Sequence, residues 1–223
     1  VVRIREILEL EDGSPVLVMD LLSGRSLGEH LAKHGAIPLG ELAAILRPVV
    51  DAIATAHDVG IIHRDLKPDN IFLVELPDGG RDVRVLDFGA AKLTAADGEA
   101  AQSGNLTRTG DVIGTPFYMS PEQAFGEPGI DARTDIWSLG VIMYECLTGK
   151  RPFAGENQGQ LLKQILSDEA PPLDHTLPGI SADVGKLVGA MLVKDRAGRL
   201  ADLTRVMAVL ERHAVGSAKV ANG

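Results

Sequence analysis

The chain has 223 residues and 45% of them are hydrophobic, which is enough for one domain or two small lobes and excludes a globally disordered chain. The net charge of -9 argues against a general nucleic-acid binder and against a binder of membrane surfaces. No apolar run is long enough to span a bilayer, and the single cysteine, Cys146, excludes a disulfide framework and is typical of a reducing compartment.

The beginning of the chain is predicted to form a strand hairpin. Residues 1–10 have strand-like composition, residues 11–14 are a turn signal, and residues 15–19 form a second strand. Residues 21–24 are predicted to be a connector, with Gly24 as its breaker. Two strands alone are not a stable sheet, and the chain opens within a strand pattern without an initiator Met. We therefore expect it to be a piece of a longer domain.

Two helices are predicted to follow this hairpin. Ser26 is expected to cap the first helix, because Glu29 stands three residues later, and Gly35 ends it. The second helix covers residues 39–58, where apolar residues recur at helical spacing. Pro48 lies inside that pattern and is expected to kink or break the helix.

A polar loop and a second hairpin come next. The loop covers residues 61–70, and the strands 71–74 and 83–86 are joined by a turn at residues 77–80. The triplet Asp87-Phe88-Gly89 follows directly after the second of these strands. The pattern therefore places two short polar segments at neighbouring strand ends.

The second half of the chain is predicted to be helical. Residues 94–112 have no periodicity and form a long loop, which is typical of a functional or mobile segment. The most apolar helix is predicted over residues 135–147 and is closed by Gly149. Three further amphipathic helices are predicted at residues 158–167, 181–193 and 201–213.

The polar loop carries three side chains suited to phosphoryl transfer. Asp65 can accept a proton from a hydroxyl group, and Lys67 carries a positive charge two residues later. Asn70 offers an oxygen suited to a hard cation such as magnesium. The hairpin that follows is expected to bring Asp87 close to Asn70, so that together they provide two oxygen ligands for the metal.

Three motifs stand in one order along the chain: His63-Arg64-Asp65 with Lys67 and Asn70, then Asp87-Phe88-Gly89, then Ser120-Pro121-Glu122. Together they resemble the large helical lobe of a eukaryotic-like protein kinase, and the chain looks most similar to bacterial Ser/Thr kinases of this type. The resemblance runs from about residue 1 to about residue 213. It implies an α+β, protein-kinase-like fold made mainly of the helical C-lobe. The implied division is a remnant of the N-lobe sheet with the hinge (1–22), the C-lobe (23–213) and a flexible tail (214–223).

The resemblance also implies catalytic and metal-binding roles. Asp65 would orient the substrate hydroxyl and accept its proton, and Lys67 would steady the transferred phosphoryl group. Asn70 and Asp87 would hold Mg²⁺ (or Mn²⁺). The implied partners are therefore ATP and a protein substrate with a Ser or Thr hydroxyl, in the cytoplasm, without nucleic acid or membrane contact.

ATP binding is implied at the beginning of the chain and on the second hairpin. Met19 would guard the back of the adenine pocket. The backbone of Asp20, Leu21 and Leu22 would meet adenine, and Phe72 would lie under the ring. Asp87 is also counted among the implied ATP-binding residues, because it would hold the metal.

Further residues are implied to act in specificity and regulation. Lys67 and Thr115 are typical of Ser/Thr rather than Tyr specificity, and Thr115 is the implied substrate contact. Arg64 beside the catalytic aspartate implies control by phosphorylation, with Thr107 and Thr109 as the candidate phosphorylated residues.

Three residues are implied to have structural roles. Glu122 is expected to pair with Arg199, and Asp135 is expected to brace the backbone of the catalytic loop. Neither assignment involves contact with the reacting groups.

Some kinase features are missing from the sequence, and they leave alternatives open. The chain has no Gly-rich phosphate loop, no strand with the ATP-binding lysine and no helix with its glutamate partner. The chain as given is therefore expected to bind ATP and transfer phosphate poorly. A truncated kinase sequence is favoured, because Asp65, Asn70 and Asp87 are all present. The alternatives are a non-catalytic binding or scaffold module and a kinase-like enzyme that acts on small-molecule hydroxyls.

Overall fold

The computed structural model describes residues 1–88 and 116–214. Over these two ranges the chain has an α+β fold, with two small antiparallel sheets and a larger set of helices. The strands are β1 (Ile4–Glu9), β2 (Pro15–Met19), β3 (Gly24–Ser26), β4 (Ile71–Glu75) and β5 (Arg81–Val85). The helices are α1 (Leu27–His34), α2 (Leu39–Asp58), α3 (Pro121–Phe125), α4 (Arg133–Thr148), α5 (Gln158–Ser167), α6 (Leu173–Thr176), α7 (Ala182–Met191) and α8 (Thr204–Ala214).

Some sequence predictions lie outside the described residues. They concern the loop at 94–112, the end of the chain from residue 215, and the residues Gly89, Thr107, Thr109 and Thr115.

The first hairpin is confirmed. Strands β1 and β2 pair in antiparallel fashion, and the turn between them closes with a hydrogen bond from the Leu10 N–H to the Ser14 carbonyl. All six residues of β1 are exposed. The backbone N–H of Val2 donates to the carbonyl of Val85 at 3.2 Å, which links this hairpin to the second sheet.

The second sheet has the strand order β3-β4-β5, and it corrects the prediction for Gly24. Gly24 does not break a connector but begins β3, where it pairs with Val74. Its φ of 142° lies in the region that favours glycine, and a Cβ at this position would lie 2.0 Å from the carbonyl oxygen of Leu73. Only glycine therefore lets β3 approach β4 this closely.

The first helix, α1, begins and ends where the sequence predicts. The Ser26 Oγ accepts the Glu29 N–H at 3.1 Å, and the Glu29 carboxylate accepts the Ser26 N–H at 2.8 Å. This reciprocal capping box satisfies two backbone donors at the start of the helix. Gly35 follows the last turn with a φ of 73°.

The second helix, α2, is one element of 20 residues, so of the predicted kink or break at Pro48 the break is wrong. Proline removes one backbone hydrogen bond, which leaves the carbonyl of Ala44 without its usual partner. Both Pro48 and Ala44 lie on the exposed side of the helix, where water can take that place. The opposite side is buried and holds the helix together through packing, because it carries the apolar residues Leu42, Ile45, Leu46, Val49, Val50 and Ile53.

Helix α4 lies at the centre of the helical part, and nearly all of its residues are buried. It packs against α2 and α7, while α2 packs most extensively against α8. Trp137 of α4 stacks on Phe153, with the ring centroids 5.5 Å apart. The predicted helices corresponding to α4, α5, α7 and α8 are confirmed, with ends that differ by a few residues. Within the two described ranges, no helix is both long enough and apolar enough to cross a bilayer.

Candidate active site

Asp65 is held by two donors from its own loop. The Lys67 Nζ donates to Asp65 Oδ2 at 2.7 Å, and the Asn70 Nδ2 donates to the Asp65 carbonyl oxygen at 2.8 Å. The side chain of Asp65 is 67% exposed, whereas Asn70 is buried. Asp65 Oδ1 has no hydrogen-bond partner among the described residues. The carboxylate is therefore fixed through one oxygen and open to an incoming group at the other.

The hairpin of β4 and β5 brings Asn70 and Asp87 to neighbouring strand ends. A single turn of 3-10 helix, Pro68–Asn70, leads into β4, and Ile71 pairs with Val85. The Leu86 N–H donates to the Asn70 carbonyl at 2.8 Å, so the residue before Asp87 is bonded directly to Asn70.

The chemistry of these two residues fits magnesium. Asn70 uses its Nδ2 as a donor to Asp65, and its Oδ1 has no partner among the described residues. Asp87 is exposed and adds a carboxylate. Amide and carboxylate oxygens are the ligands that Mg²⁺ prefers, and it commonly binds to one or two protein ligands while water or phosphate oxygens complete its shell.

A buried carboxylate, Asp135 of α4, supports the loop through hydrogen bonds to its backbone. Its Oδ1 accepts the backbone N–H of Arg64 at 2.8 Å, and its Oδ2 accepts the backbone N–H of His63 at 2.9 Å. The Nε2 of His57, in the last turn of α2, donates to Oδ2 at 2.8 Å. Because Asp135 is fully buried, these three donors offset the cost of removing its charge from water.

The backbone of Arg64 has an unusual conformation that is held from both sides. Within the described ranges, Arg64 (φ 67°) and Asp87 (φ 55°) are the two residues other than glycine with positive φ. Asp135 holds the N–H of Arg64, and the Gln123 Nε2 donates to its carbonyl oxygen at 2.7 Å. Strained backbone of this kind persists only where its surroundings fix it, and it is typical of functional sites.

The side chains of His63 and Phe88 face each other next to this loop. The His63 Nε2 donates to the carbonyl oxygen of Leu86 at 2.9 Å, and its ring centroid lies 4.9 Å from that of Phe88. The Arg64 Nε is buried and has no hydrogen-bond partner among the described residues. His63 thus joins the polar loop of residues 61–70 to the strand end that precedes Asp87.

The pairing of Glu122 with Arg199 is bidentate and buried. Arg199 Nη1 and Nη2 donate to the two carboxylate oxygens at 2.7 and 3.0 Å, and the side chains are 0% and 2% exposed for Arg199 and Glu122. Burial acts to raise the pKa of the Glu122 carboxyl, but the hydrogen bonds and charge of Arg199, together with a backbone hydrogen bond and the contact with Ser120, outweigh burial and lower this pKa below its usual value. Arg199 also donates to the carbonyl oxygens of Val193 and Arg133, which ties α3 to α4.

The predicted ATP-side residues lie around the connection from β2 to β3. Met19 ends β2 and is partly exposed, and the carboxylate of Asp20 pairs with Arg5. Leu22 is half-buried, and Phe72 is half-buried on β4, where it pairs with Ser26. The backbone register therefore places Phe72 beside the strand into which the segment of Asp20 and Leu22 leads.

Two contacts at the site were not found from the sequence. Nothing in the sequence connects His57 to Asp135, from which 78 residues separate it. The contact of Gln123 with Arg64 has no sequence signal of its own, but Ser120 and Gln123 have the spacing of a capping box. That capping box is present at the start of α3.

Comparison with known proteins agrees with this geometry. Residues 1–212 match the family model described as protein kinase domain. The Ser/Thr-protein kinase PknL of Mycobacterium tuberculosis is 37% identical over 197 residues, which cover 88% of this chain and 46% of the relative. The kinase Pkn2 of Myxococcus xanthus is 41% identical over 201 residues, which cover 89% of this chain and 23% of the relative.

A solved structure, that of Rad53 residues 1–466 in complex with AMP-PNP, superposes with a TM-score of 0.71. Its sequence is 31% identical, and the match covers 96% of this chain and 50% of that chain. The chain spans less than half the length of the two curated relatives above, 46% and 23% respectively. The predicted α+β, kinase-like fold is thereby confirmed. With its family model matched over residues 1–212, the chain belongs to the protein kinase domain family.

Proposed function

We propose that this chain is the catalytic domain of a protein Ser/Thr kinase, which transfers the γ-phosphate of ATP to Ser and Thr hydroxyls of proteins. The observation that carries the proposal is the arrangement around Asp65. One carboxylate oxygen is held by Lys67 at 2.7 Å, and Asn70 fixes the loop backbone at 2.8 Å. The names of the relatives, which are Ser/Thr-protein kinases, support the same reaction.

Asp65 has the geometry for orienting a hydroxyl group. Its exposed Oδ1 accepts the proton of a Ser or Thr hydroxyl, and the oxygen of that hydroxyl then faces the phosphoryl group. The ammonium of Lys67 lies beside the same carboxylate, where negative charge develops on the transferred group. Catalysis of this kind consists mainly of positioning and electrostatic stabilisation, for which a loop braced by Asp135 is suited.

Magnesium is the metal that the donor set supports, with Mn²⁺ as a substitute. The Asn70 Oδ1 and the Asp87 carboxylate would hold it, and the metal would neutralise charge on the ATP phosphates. For the nucleotide base we propose Met19, the backbone of Asp20 and Leu22, and the ring of Phe72.

The remaining assignments extend the proposal along the chain. Residues 1–22 belong to the N-lobe and hinge, residues 23–213 form the C-lobe, and the last residues are a tail. We assign control to Arg64 with phosphorylated Thr107 or Thr109, and substrate contact to Thr115. Because the reaction uses ATP, we place the domain in the cytoplasm.

The proposal is tested on the full-length gene product, since the curated relatives are about twice as long as this chain or longer. The protein is incubated with ATP, Mg²⁺ and dephosphorylated casein, and phosphoserine and phosphothreonine are measured by mass spectrometry. We expect metal-dependent transfer that is lost in Asp87→Asn and kept in Asp51→Asn, an exposed aspartate on α2. Absence of transfer at every metal and substrate tried would contradict the proposal and favour a non-catalytic binding module.

A further inference from the structure

A cluster of four side chains joins the Pro116–Tyr118 turn to the end of α4. We call Phe117, Tyr118, Glu145 and Arg151 the Arg151 cluster. The Tyr118 hydroxyl donates to Glu145 Oε2 at 2.5 Å, and the Arg151 Nε donates to Glu145 Oε1 at 2.9 Å. Both carboxylate oxygens of Glu145 are thus engaged, and its side chain is only 14% exposed. Glu145 is therefore largely buried and has Arg151 as its charged partner.

The orientation of Arg151 is fixed, but only part of its hydrogen-bonding capacity is taken up by the described residues. Its guanidinium carbon lies 3.8 Å from the ring centroid of Phe117, which covers one face of the group. A guanidinium has five N–H donors in a planar fork, and the Nε donor is the one taken by Glu145. The Nη1 and Nη2 donors have no hydrogen-bond partner among the described residues, and the side chain is 35% exposed. A fixed, partly exposed fork of this kind matches a carboxylate or a phosphate.

Tyr118 adds a neutral donor to the cluster and not a second charge. Burial, followed by the contact with Glu145, raises the pKa of its phenol above the ordinary value. The phenol therefore remains protonated at neutral pH and donates to Glu145. The Nη edge of Arg151 remains the positively charged surface that the cluster presents to solvent.

The Arg151 cluster is tied to the catalytic loop. The Tyr118 carbonyl accepts the hydroxyl of Ser138, which fixes the Pro116–Tyr118 turn on α4. Two residues after Tyr118 the chain enters the capping box of α3, where Gln123 donates to the carbonyl of Arg64, the neighbour of Asp65. The cluster and the catalytic loop therefore share one continuous, hydrogen-bonded segment.

We propose that the Nη edge of Arg151 is a specificity subsite for an anionic side chain of the protein substrate, near the Ser or Thr that receives the phosphate. The anion is a carboxylate or a phosphate that an earlier reaction has placed on a neighbouring residue. This proposal rests on the proposed kinase function. It predicts a preference for acidic over basic residues at this position, because the charge that the cluster presents is that of Arg151, whereas the Glu145 side chain is 14% exposed and already paired with Arg151.

The test uses the full-length gene product and matched synthetic peptides. Each peptide has one Ser acceptor and differs at a single flanking position, which is Ala, Asp, phosphoserine or Lys, and each flanking position is varied in turn. Transfer is measured as kcat/KM, and binding is measured independently by fluorescence anisotropy. The variants are Arg151→Gln, which removes the charge, and Arg151→Lys, which keeps the charge but lacks the fork. Arg47→Gln, an exposed arginine on α2, is the control for net charge.

We expect the wild type to prefer the Asp or phosphoserine peptide over the Ala peptide by roughly tenfold or more at one position, mainly through KM. Arg151→Gln should lose this ratio, Arg151→Lys should keep part of it, and Arg47→Gln should keep all of it. The Asp and phosphoserine peptides together tell which anion is preferred.

Several results would overturn the subsite. One is a wild type that binds Ala and acidic peptides equally or prefers Lys. Another is an Arg151→Gln variant that loses activity on all peptides by one common factor, because this would make Arg151 only a partner of Glu145. If no peptide is phosphorylated, the kinase proposal fails. The relative affinities of the peptides, measured by fluorescence anisotropy, then decide alone whether Arg151 forms an anion subsite.

Discussion

The backbone N–H of Arg64 donates to Asp135 Oδ1 at 2.8 Å, although 71 residues separate the two in the chain. This contact holds a residue whose φ of 67° is costly for a side chain with a Cβ. Because Arg64 directly precedes Asp65, the buried carboxylate of α4 holds the backbone at the residue next to Asp65. The site therefore depends on the helical core as well as on the residues that face the reactants.

Replacing Asp135 with Asn should impair catalysis more than nucleotide binding. The amide retains one acceptor oxygen, so at least one of the three N–H donors around it loses its partner. We expect kcat to fall roughly tenfold to hundredfold, with little change in KM for ATP, because misplacement of a catalytic group by about 1 Å has effects of this size. Steady-state kinetics of the full-length gene product checks this. An unchanged kcat would show that Asp135 does not position the loop.

The buried pair of Glu122 and Arg199 should show strong coupling. Arg199→Met leaves the Glu122 carboxylate buried without its partner, which should reduce the free energy of unfolding by about 3–5 kcal/mol. The double variant Glu122→Gln with Arg199→Met should lose less than the sum of the two single losses. Urea unfolding of the four proteins measures both quantities. Additive losses would contradict the inferred pairing energy.

The same pair predicts a dependence of stability on acid. The pKa of Glu122 is lower in the folded than in the unfolded protein. Its contribution to the free energy of unfolding is therefore complete above the ordinary glutamate pKa of about 4.3 and is lost as the pH falls through the folded pKa. The advantage of the wild type over Glu122→Gln should therefore shrink below about pH 4. Urea unfolding of both proteins between neutral and acidic pH provides the test. An advantage that stays constant or grows in acid would contradict the sign of the shift.

Gly24→Ala should be more destabilising than Gly35→Ala. Both glycines have positive φ, but a Cβ at Gly35 has no atom within 4 Å, whereas a Cβ at Gly24 would lie 2.0 Å from the Leu73 carbonyl oxygen. Gly35→Ala should cost about 1–3 kcal/mol from backbone strain alone, because the φ of 73° and ψ of -148° at Gly35 are close to a region that essentially only glycine occupies. Gly24→Ala should lose additional unfolding free energy, because the new Cβ would force β3 away from β4. Equal losses in urea unfolding would mean that the close approach of the two strands contributes nothing.

Features encoded by neighbouring residues were predictable from the sequence. Ser26 and Glu29 mark the start of α1 by their spacing, and the apolar face of α2 gives its length despite Pro48. The proximity of Asn70 and Asp87 was also predictable, because the intervening hairpin sets the register of the strands that lead to them.

Other features have no periodic signal in the sequence, although the spacing of Ser120 and Gln123 marks the start of α3. Strand β3 has three residues, too few for alternation, and α3 and α6 have five and four residues, too few for helical periodicity. The hydrogen bond between His57 and Asp135 depends on the packing of α2 against α4, which no short stretch of sequence specifies. Burial and tertiary contact determine these parts, so they become visible only in the folded chain.

The central claim, that Asp65 orients and deprotonates the acceptor hydroxyl, is tested most directly by comparing Asp65→Asn with Asp51→Asn in the full-length gene product. Initial rates of phosphate transfer to protein are measured at saturating ATP and Mg²⁺, and circular dichroism and nucleotide titration check that each variant is folded and binds ATP. We predict that Asp65→Asn loses at least about a hundredfold in kcat, whereas Asp51→Asn stays within about twofold of the wild type. An Asp65→Asn protein that transfers phosphate at the rate of the wild type would contradict the assignment.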